Sequence, residues 1–298
     1  MPTSIQNVAI IGFGEAGGIL AADLVKQGVG VSIFDILLDS RKYRRKMLAK
    51  AGACGARAAG SLKECLAGAQ LVISAVTASS GLEVARAAAR SLRSGQIFLD
   101  INSVSPQTKR KAAAQVGRGS AYYVEAAVMA AVPVKRLKVP MLLGGPHAAE
   151  AAAQLCALGM NATAVSDQIG VASAVKMCRS VMIKGIEALA VECLLAARRY
   201  GAEEAVLESL ADTYPLMGWK EGLPDYLISR VAEHGRRRAA EMREVAHALR
   251  EVGINPLMAQ AAARRQDALV EEMTRRKLPY AGPFSWRKLA DALAGKRR

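Results

Sequence analysis

The chain has 298 residues, with 41 Lys and Arg against 26 Asp and Glu, a formal net charge of +15, and 52% hydrophobic residues. This length and composition suit about two globular domains and exclude a mainly disordered or fibrous protein. No stretch approaches the roughly eighteen consecutive apolar residues of a membrane helix. No basic leader precedes the first predicted strand. We therefore expect a cytoplasmic protein with no membrane partner.

The excess of Lys and Arg comes from clusters on scattered predicted helices. These basic residues stand among Glu and Ala, and aromatic residues, which base stacking requires, make up only 4% of the chain. We therefore expect a solvated surface that attracts small anions, and no nucleic-acid partner. The clusters are residues 41–46, 236–238, 264–265, 275–277 and 296–298.

Cys and His are poorly suited to metal or triad chemistry here. The five Cys are odd in number and form no C-x-x-C pair, and the chain has only three His. We expect the Cys to be reduced and buried, and we expect no metal site. Acid–base chemistry must then come from other side chains.

Strand-like and helix-like segments alternate over the first part of the chain. Short β-branched runs predict strands at residues 8–11, 31–34, 71–76, 97–101, 122–128, 141–143 and 163–165. Ala-rich segments predict helices at residues 16–27, 40–51, 82–92, 106–116 and 147–158. The alternation predicts an α/β fold, with a doubly wound Rossmann-type parallel sheet and right-handed crossovers.

The pattern changes after Asp167, where strand signals end. One near-continuous helix is predicted over residues 170–200, and shorter helices broken by Gly and Pro follow it. The sequence therefore predicts two domains. Residues 1–166 form the domain that contains the predicted sheet, and residues 167–298 form an all-helical domain.

The turn after the first predicted strand carries Gly12, Gly14 and Gly17 at G-x-G-x-x-G spacing. Gly12 permits a tight turn, Gly14 lets a pyrophosphate approach the backbone, and Gly17 allows the next helix to pack closely on the strand. The N-terminus of that helix stabilises an anion. This context predicts a dinucleotide site. Its expected lining residues are Gly12, Phe13, Gly14, Glu15, Ala16 and Gly17.

Two features indicate which dinucleotide binds. Asp35 ends the second predicted strand, where a carboxylate accepts hydrogen bonds from the ribose diol of NAD. The following Arg41, Arg44 and Arg45 suit the 2′-phosphate of NADP instead. The sequence favours NAD and leaves NADP open.

Polar and small residues follow two later strands of the predicted sheet. Ligands of doubly wound folds bind at the carboxyl ends of the strands. We therefore expect further contacts with the dinucleotide at the ends of predicted strands 71–76 and 97–101. The expected residues are Ser74, Ala75, Val76 and Asn102.

The predicted long helix carries few charges in an apolar sequence. At about 100° per residue, four of its five charges share one stripe with a serine. If the other faces are buried, this stripe faces a cleft. Burial and neighbouring cations favour a neutral lysine amine that can exchange a proton with a substrate, whereas a solvent-facing stripe is the alternative. The stripe consists of Lys176, Arg179, Ser180, Lys184 and Glu187.

Four segments match a known family in order and spacing over nearly the whole chain. They are IGFGEAG at residues 11–17, DINSVSP at 100–106, EAAV at 125–128, and Gly170 ahead of Lys176. Together they resemble the β-hydroxyacid dehydrogenase family, which includes 3-hydroxyisobutyrate and 6-phosphogluconate dehydrogenases. Residues 234–242 and 253–258 resemble a less characterised, phosphogluconate-dehydrogenase-like branch with its own helical C-terminal domain.

The resemblance implies hydride transfer between nicotinamide and a β-hydroxy acid or the corresponding carbonyl. By position, Lys176 would be the general acid/base, and Asn102 and Ser103 would contact nicotinamide and substrate. Ser180 stands where common members have an Asn that acts with the Lys, and Arg179 precedes it. The family's interdomain helices commonly mediate dimerisation, so we expect a homodimer.

This chain departs from the family where the substrate carboxylate is bound. Met129-Ala130-Ala131 replaces the Ser-Gly-Gly of common members, which removes a hydroxyl donor and argues against the usual small hydroxy acids. Arg179 or Lys184 can pair with an anionic substrate instead. Imine reduction on the same scaffold and a non-catalytic dinucleotide-binding protein are the alternatives.

Overall fold

A computed structural model describes residues 4–119 and 121–295. The basic cluster predicted at residues 296–298 lies outside the described residues. The chain divides into two compact units, the first ending at Lys176 and the second beginning at Met177. Within the described ranges, no helix combines the length and the apolar character that crossing a membrane requires.

A single eight-stranded sheet organises the first unit. Its strands are β1 (Asn7–Ile11), β2 (Gly30–Phe34), β3 (Arg57–Ala58), β4 (Leu71–Ser74), β5 (Ile97–Asp100), β6 (Tyr122–Val128), β7 (Pro140–Gly144) and β8 (Asn161–Ser166). Their order in the sheet is β3-β2-β1-β4-β5-β6-β7-β8. All neighbouring strands are parallel except the antiparallel pair β6 and β7.

Helices cover the sheet of the first unit. They are α1 (Glu15–Lys26), α2 (Arg44–Ala53), α3 (Leu62–Leu66), α4 (Gly81–Ala89), α5 (Pro106–Val116), α6 (Val132–Lys135) and α7 (Ala148–Ala157). Ile10 and Ile73 belong to one apolar cluster, and Ala9 and Val72 belong to another. Because successive side chains of a strand point to opposite faces, the sheet is buried on both faces.

The structure confirms the predicted doubly wound α/β fold, with two departures. Strand β3 was not predicted because its two residues are too few to show an alternating pattern. Strands β6 and β7 are antiparallel, a pairing that the prediction of a doubly wound parallel sheet did not specify. The connection contains only the four-residue helix α6 and a single 3-10 turn of helix at Arg136–Lys138, which is too short for a crossover connection.

Helices are the only regular secondary structure in the described residues of the second unit. Helix α8 (Val171–Tyr200) begins in the first unit and continues into it, and α9 (Glu203–Thr213), α10 (Leu223–Glu251), α11 (Leu257–Arg275) and α12 (Trp286–Ala294) follow. Helices α10 and α11 pack along each other. Gly235 permits this close approach, because a Cβ there would lie 3.0 Å from the carbonyl oxygen of Gln266.

The five cysteines form no disulfide in this structure. Cys65 is buried, and burial raises the pKa of its thiol to about 12. The prediction that all five are buried is wrong for Cys156, Cys178 and Cys193, which are exposed, and Cys54 is only half-buried. These three lie on the exposed faces of α7 and α8. A single small residue in an apolar helix does not indicate which face of that helix is exposed.

Candidate functional site

The turn between β1 and α1 is closed tightly around its glycines. Gly12 has a φ of +92°, and a Cβ there would lie 2.4 Å from the carbonyl oxygen of Ala75. A Cβ on Gly17 would lie 2.0 Å from the carbonyl oxygen of Gly12. A Cβ on Gly14 would meet no atom within 4 Å. The turn therefore excludes side chains at two positions and leaves open space at the third.

Asp35 connects this turn to the end of β2. Its Oδ2 accepts a hydrogen bond from the N–H of Phe13 at 2.7 Å, and its Oδ1 accepts one from the N–H of Leu37 at 2.9 Å. Each carboxylate oxygen keeps a further lone pair for a ribose hydroxyl. The side chain of Phe13 is buried in the core, so only the backbone of this residue is available to a ligand.

Asn102 ties the carboxyl ends of β4 and β5 together. Its Nδ2 donates to Ser74 Oγ at 2.9 Å and to Asp100 Oδ1 at 2.7 Å, and its Oδ1 accepts from the N–H of Val76 at 2.7 Å. Ser74 and Asn102 are both buried, while Ala75 and Val76 are half-buried. Because both amide hydrogens of Asn102 bond to protein, only an oxygen lone pair remains for a ligand.

A buried ion pair lies next to Asn102, at the carboxyl end of β5. Lys109 Nζ lies 2.9 Å from Asp100 Oδ1 and donates to the Asp100 carbonyl oxygen at 2.7 Å. The hydroxyl of Tyr123 donates to Asp100 Oδ2 at 2.8 Å. Burial, and then the charge of Asp100, raise the pKa of Tyr123 well above its usual value, so the hydroxyl keeps its proton and remains a donor.

Sequence reasoning missed this pair, although α5 carried a signal for it. Lys109 shares the buried face of α5 with Ala112 and Val116. A lysine on the apolar stripe of a helix needs a buried acceptor. Asp100, in the preceding predicted strand 97–101, is a candidate for that acceptor.

A second buried carboxylate anchors the start of α8. Glu125 on β6 is fully buried, and its Oε1 accepts from the N–H groups of Gly170 at 2.6 Å and Ala172 at 3.1 Å. Its Oε2 accepts from the hydroxyl of Ser173 at 2.7 Å. A carboxylate at a helix N-terminus satisfies unpaired N–H groups and stabilises the helix dipole. Lys176 follows on the next turn of the same helix.

The structure places Lys176 and Ser103 in the first unit, together with the glycine turn. Both side chains are half-buried. Met129, just after β6, is also half-buried, and its N–H donates to the carbonyl oxygen of Pro140 at 2.8 Å. The three residues therefore lie in the unit that carries the parallel sheet.

The remaining polar residues of the predicted stripe lie in the second unit. Lys184 Nζ donates to Ser180 Oγ at 3.1 Å and forms an ion pair with Glu241 Oε2 at 2.9 Å. Glu187 forms an ion pair with Arg238, and burial raises the pKa of Glu187 despite that partner. The charged partners of Lys184 and Glu187, the acceptor Glu241 and the donor Arg238, thus both come from α10.

The sequence left open whether the charged stripe faces a cleft or the solvent, and the structure shows a third arrangement for two of its residues. Lys184 and Glu187 lie inside the second unit, whereas Met182, Ile183 and Leu189 expose 64%, 41% and 56% of their surface. Part of the polar stripe is thus buried against α10 and part of the apolar surface is exposed, while Val191 and Leu194 remain buried. The charges on α10 that pair with Lys184 and Glu187 were not foreseen. Arg179 is the exposed cation of the stripe.

Comparison with known families identifies the scaffold. The NAD binding domain of 6-phosphogluconate dehydrogenase matches residues 7–167, and a domain of unknown function matches residues 197–269. The first match spans more than half of the chain. The chain belongs to the β-hydroxyacid dehydrogenase family. The two matches together support the 6-phosphogluconate-dehydrogenase-like branch, as residues 234–242 and 253–258 predicted.

Individual relatives agree with this assignment. A conserved hypothetical protein from Sinorhizobium meliloti is 36% identical, with a TM-score of 0.84, 99% of this chain and 98% of that chain covered. The 3-hydroxyisobutyrate dehydrogenase of Pseudomonas aeruginosa is 27% identical over 218 residues, 69% of each protein. An imine reductase from Streptomyces aurantiacus is 18% identical, covers 98% of this chain and 100% of that chain, and has a TM-score of 0.55, a likeness in fold.

The first unit of this β-hydroxyacid dehydrogenase family member is thus a nicotinamide-dinucleotide-binding domain on an oxidoreductase scaffold. Its glycine turn fits such a cofactor on geometry alone. The open space at Gly14 lies where α1 begins, at Glu15, so a pyrophosphate can reach the N–H groups of the first helical turn. Gly14 and Glu15 are exposed, and Ala16 is half-buried.

Proposed function

We propose that this protein is an NAD(P)-dependent dehydrogenase or reductase that transfers a hydride between nicotinamide and a β-hydroxy acid or its carbonyl form. Lys176 is the general acid/base in this proposal. Glu125 provides the main support, because its carboxylate fixes the first turn of α8 to the sheet that carries the dinucleotide turn. Lys176 stands six residues after Gly170, or about 9 Å along the helix axis.

The chemistry divides between cofactor and protein. A bound nicotinamide supplies the hydride acceptor or donor. Lys176 takes the proton from the substrate hydroxyl during oxidation, or returns it to the oxygen during reduction, through its Nζ. Ser103 follows the end of β5, and its hydroxyl orients the reacting oxygen by a hydrogen bond. Ser180 accepts a hydrogen bond from the ammonium of Lys184, one turn further along α8, and so fixes the position of that side chain.

Arg179 is the side chain that we propose for the anionic end of the substrate. It follows Lys176 by three residues, so the two side chains are neighbours on the helix surface. Lys184 was the other sequence-based candidate. Its ammonium is already paired with Glu241 and is buried, so Arg179 is the more available cation for a carboxylate.

NAD is the cofactor that we propose, because of Asp35. Its carboxylate stands at the end of β2 with both oxygens oriented by backbone N–H groups. An oriented carboxylate there accepts hydrogen bonds from a ribose diol and repels a 2′-phosphate. The exposed Arg41 and Arg45 supply the competing attraction for NADP, and measured affinities for both cofactors decide between them.

We also propose that the protein is a cytoplasmic homodimer. Met182, Ile183 and Leu189 form an exposed apolar face on α8, which suits burial against a second copy. A sedimentation experiment tests this. A monomer at micromolar concentration, or a dimer that persists when Met182 and Leu189 are both replaced by Lys, would contradict the assignment of this face.

A cofactor-saturated screen tests the enzymatic proposal. β-Hydroxy acids with side chains of increasing size are offered with NAD and with NADP in separate assays. The variant Lys176→Ala should lose turnover on any active substrate by at least about 100-fold, with little change in the dissociation constant for NADH. Lys135→Ala, which removes an exposed lysine on α6, should behave as the unaltered protein. Near-normal turnover by Lys176→Ala would remove Lys176 from the mechanism.

Imine reduction is the second candidate, and Met129 is the residue that favours it. Met129-Ala130-Ala131 offers no side-chain hydroxyl for a carboxylate, and an iminium substrate needs none. A parallel screen with ketones and amines separates the two activities. Binding of NADH without turnover in either screen would instead support a non-catalytic dinucleotide-binding protein.

A further inference from the structure

Lys50, near the end of α2, reaches the glycine turn between β1 and α1. Its Nζ donates hydrogen bonds to the carbonyl oxygens of Phe13 at 2.7 Å and Gly14 at 2.6 Å. The same ammonium lies 4.5 Å from the ring centroid of Phe13, within the range of a cation–π contact. Three interactions thus fix one lysine to the two residues at the centre of the turn.

Gly18 provides the space for this ammonium. A Cβ on Gly18 would lie 2.6 Å from Lys50 Nζ and 2.8 Å from its Cε. Gly18 stands just beyond the G-x-G-x-x-G string, whose three glycines have their own steric reasons. Any larger residue at position 18 would displace the flexible end of Lys50 rather than the backbone. Gly18 therefore leaves the space that the ammonium of Lys50 occupies.

The hydrogen bonds of Lys50 constrain the orientation of two peptide groups, and the carbonyl oxygen of Gly14 also accepts from the N–H of Gly18 at 3.2 Å. A trans peptide holds its N–H opposite its C=O. Because the carbonyls of Phe13 and Gly14 point to Lys50, the N–H groups of Gly14 and Glu15 point the other way. A Cβ on Gly14 would enter open space, so Lys50 does not occupy that side. Backbone N–H groups in this position are the donors that bind a pyrophosphate.

We propose that Lys50 is a positioning residue for the pyrophosphate of the bound dinucleotide. It orients the N–H groups of Gly14 and Glu15 from behind and adds a positive charge to the turn. This inference rests on the proposed function, since it assumes that the turn binds NAD(H). It predicts a role for a residue outside the glycine motif, on a different helix from the turn it serves.

The test compares two lysines of α2. Lys50→Met removes the ammonium and keeps the aliphatic chain, and Lys46→Met removes an equally charged, exposed residue from the same helix. Dissociation constants are measured for NADH by fluorescence, for ADP-ribose by calorimetry, and for adenosine by ligand-observed NMR. Lys50→Met should bind NADH and ADP-ribose about tenfold or more weakly. Adenosine, which lacks the pyrophosphate, should bind unchanged, and Lys46→Met should match the unaltered protein.

Gly18→Ala provides an independent variant that keeps Lys50. It should weaken NADH binding by a similar factor, and the double variant should be no weaker than either single one, because both remove the same contact. Lys50→Arg should recover part of the affinity. Equal NADH affinity of Lys50→Met and Lys46→Met, or equal weakening for adenosine and ADP-ribose, would overturn the role of Lys50. Absence of NADH binding by the unaltered protein would instead refute the proposed function itself.

Discussion

Lys109 and Asp100 form an ion pair that is excluded from solvent at the carboxyl end of β5, with 0% and 1% of their surfaces exposed. The same carboxylate accepts hydrogen bonds from Tyr123 and Asn102. One buried charge therefore organises the strand end, the following loop and one helix. Each of these contacts can be tested by removing a single partner.

Lys109→Met should be strongly destabilising. The substitution leaves Asp100 buried without its cation, and breaking a buried pair in this way costs about 3–5 kcal/mol. The free energy of unfolding in urea measures the loss. Lys111→Met, an exposed position on α5, should change stability by less than about 0.5 kcal/mol. Similar unfolding midpoints for the two variants would show that Asp100 does not depend on Lys109.

Glu125→Ala should reduce turnover more than cofactor binding. Loss of the cap frees the first turn of α8, and a displacement of Lys176 of about 1 Å can cost about 100-fold in rate. The dissociation constant for NADH should change little, because Glu125 contacts α8 and not the glycine turn. Steady-state kinetics on the best substrate of the screen, with NADH titrations, measure both quantities.

Glu125→Gln supplies the matched comparison. Its amide oxygen can still accept from Gly170, and Ser173 can reverse its hydrogen bond to accept from the amide nitrogen. This variant should retain much more turnover than Glu125→Ala. Equal activity of both variants and the unaltered protein would show that the cap does not position Lys176.

Substitutions in the glycine turn should separate folding from binding. Gly17→Ala places a Cβ against the carbonyl oxygen of Gly12, so it should cost about 1–3 kcal/mol of stability as well as NADH affinity. Gly14→Ala meets no protein atom and should leave the melting temperature unchanged. Its methyl group enters the space proposed for the pyrophosphate, so NADH should bind at least about tenfold more weakly. Unaltered NADH affinity in Gly14→Ala would place the pyrophosphate elsewhere.

His234 on α10 should make stability depend on pH in the mildly acidic range. Burial lowers the pKa of His234 below its usual value, and Arg230, Arg237 and Arg238 act in the same direction against Glu233. The folded protein therefore binds this proton more weakly than the unfolded chain. The contribution of His234 is fully present above the unfolded pKa of about 6.5 and decreases as the pH falls below it.

The variant His234→Gln measures this contribution. Its free energy of unfolding should decrease less than that of the unaltered protein between pH 7.5 and pH 5.5. His247→Gln, which changes a more exposed histidine on the same helix, serves as the control. A steeper decrease in His234→Gln than in the unaltered protein would contradict the assigned direction of the shift.

Local sequence order predicted the parts of the fold that depend on neighbouring residues. The positive φ of Gly12 and the contact of Gly17 with the Gly12 carbonyl both arise within one turn, so the motif and its position after a strand were predicted directly from the sequence. The close approach of Gly12 to Ala75 involves a distant strand end and was not predicted. The segments of β6 and α5 were predicted with their observed bounds, because apolar patterning and the Ser105-Pro106 start of α5 are local signals.

Contacts between distant segments were not readable in this way. Lys50 and Lys109 appeared as ordinary helix lysines, because their partners depend on how α2 and α5 dock on the sheet. The burial of Lys184 and Glu187 on α8 has the same cause, since both side chains pair with charges on α10, Glu241 and Arg238. A pattern within one helix predicts that a face is polar, but only its partner helix determines whether that face is buried.

The amide of Asn102 has a thermodynamic consequence for ligand uptake. Its hydrogen bonds to Ser74 and Val76 already hold the carboxyl ends of β4 and β5 together. This part of the site is therefore preorganised, and it loses little conformational entropy when a ligand binds. The heat-capacity change on ligand binding, measured by calorimetry, should therefore reflect only the apolar surface that the ligand buries. The larger contribution of coupled folding should be absent.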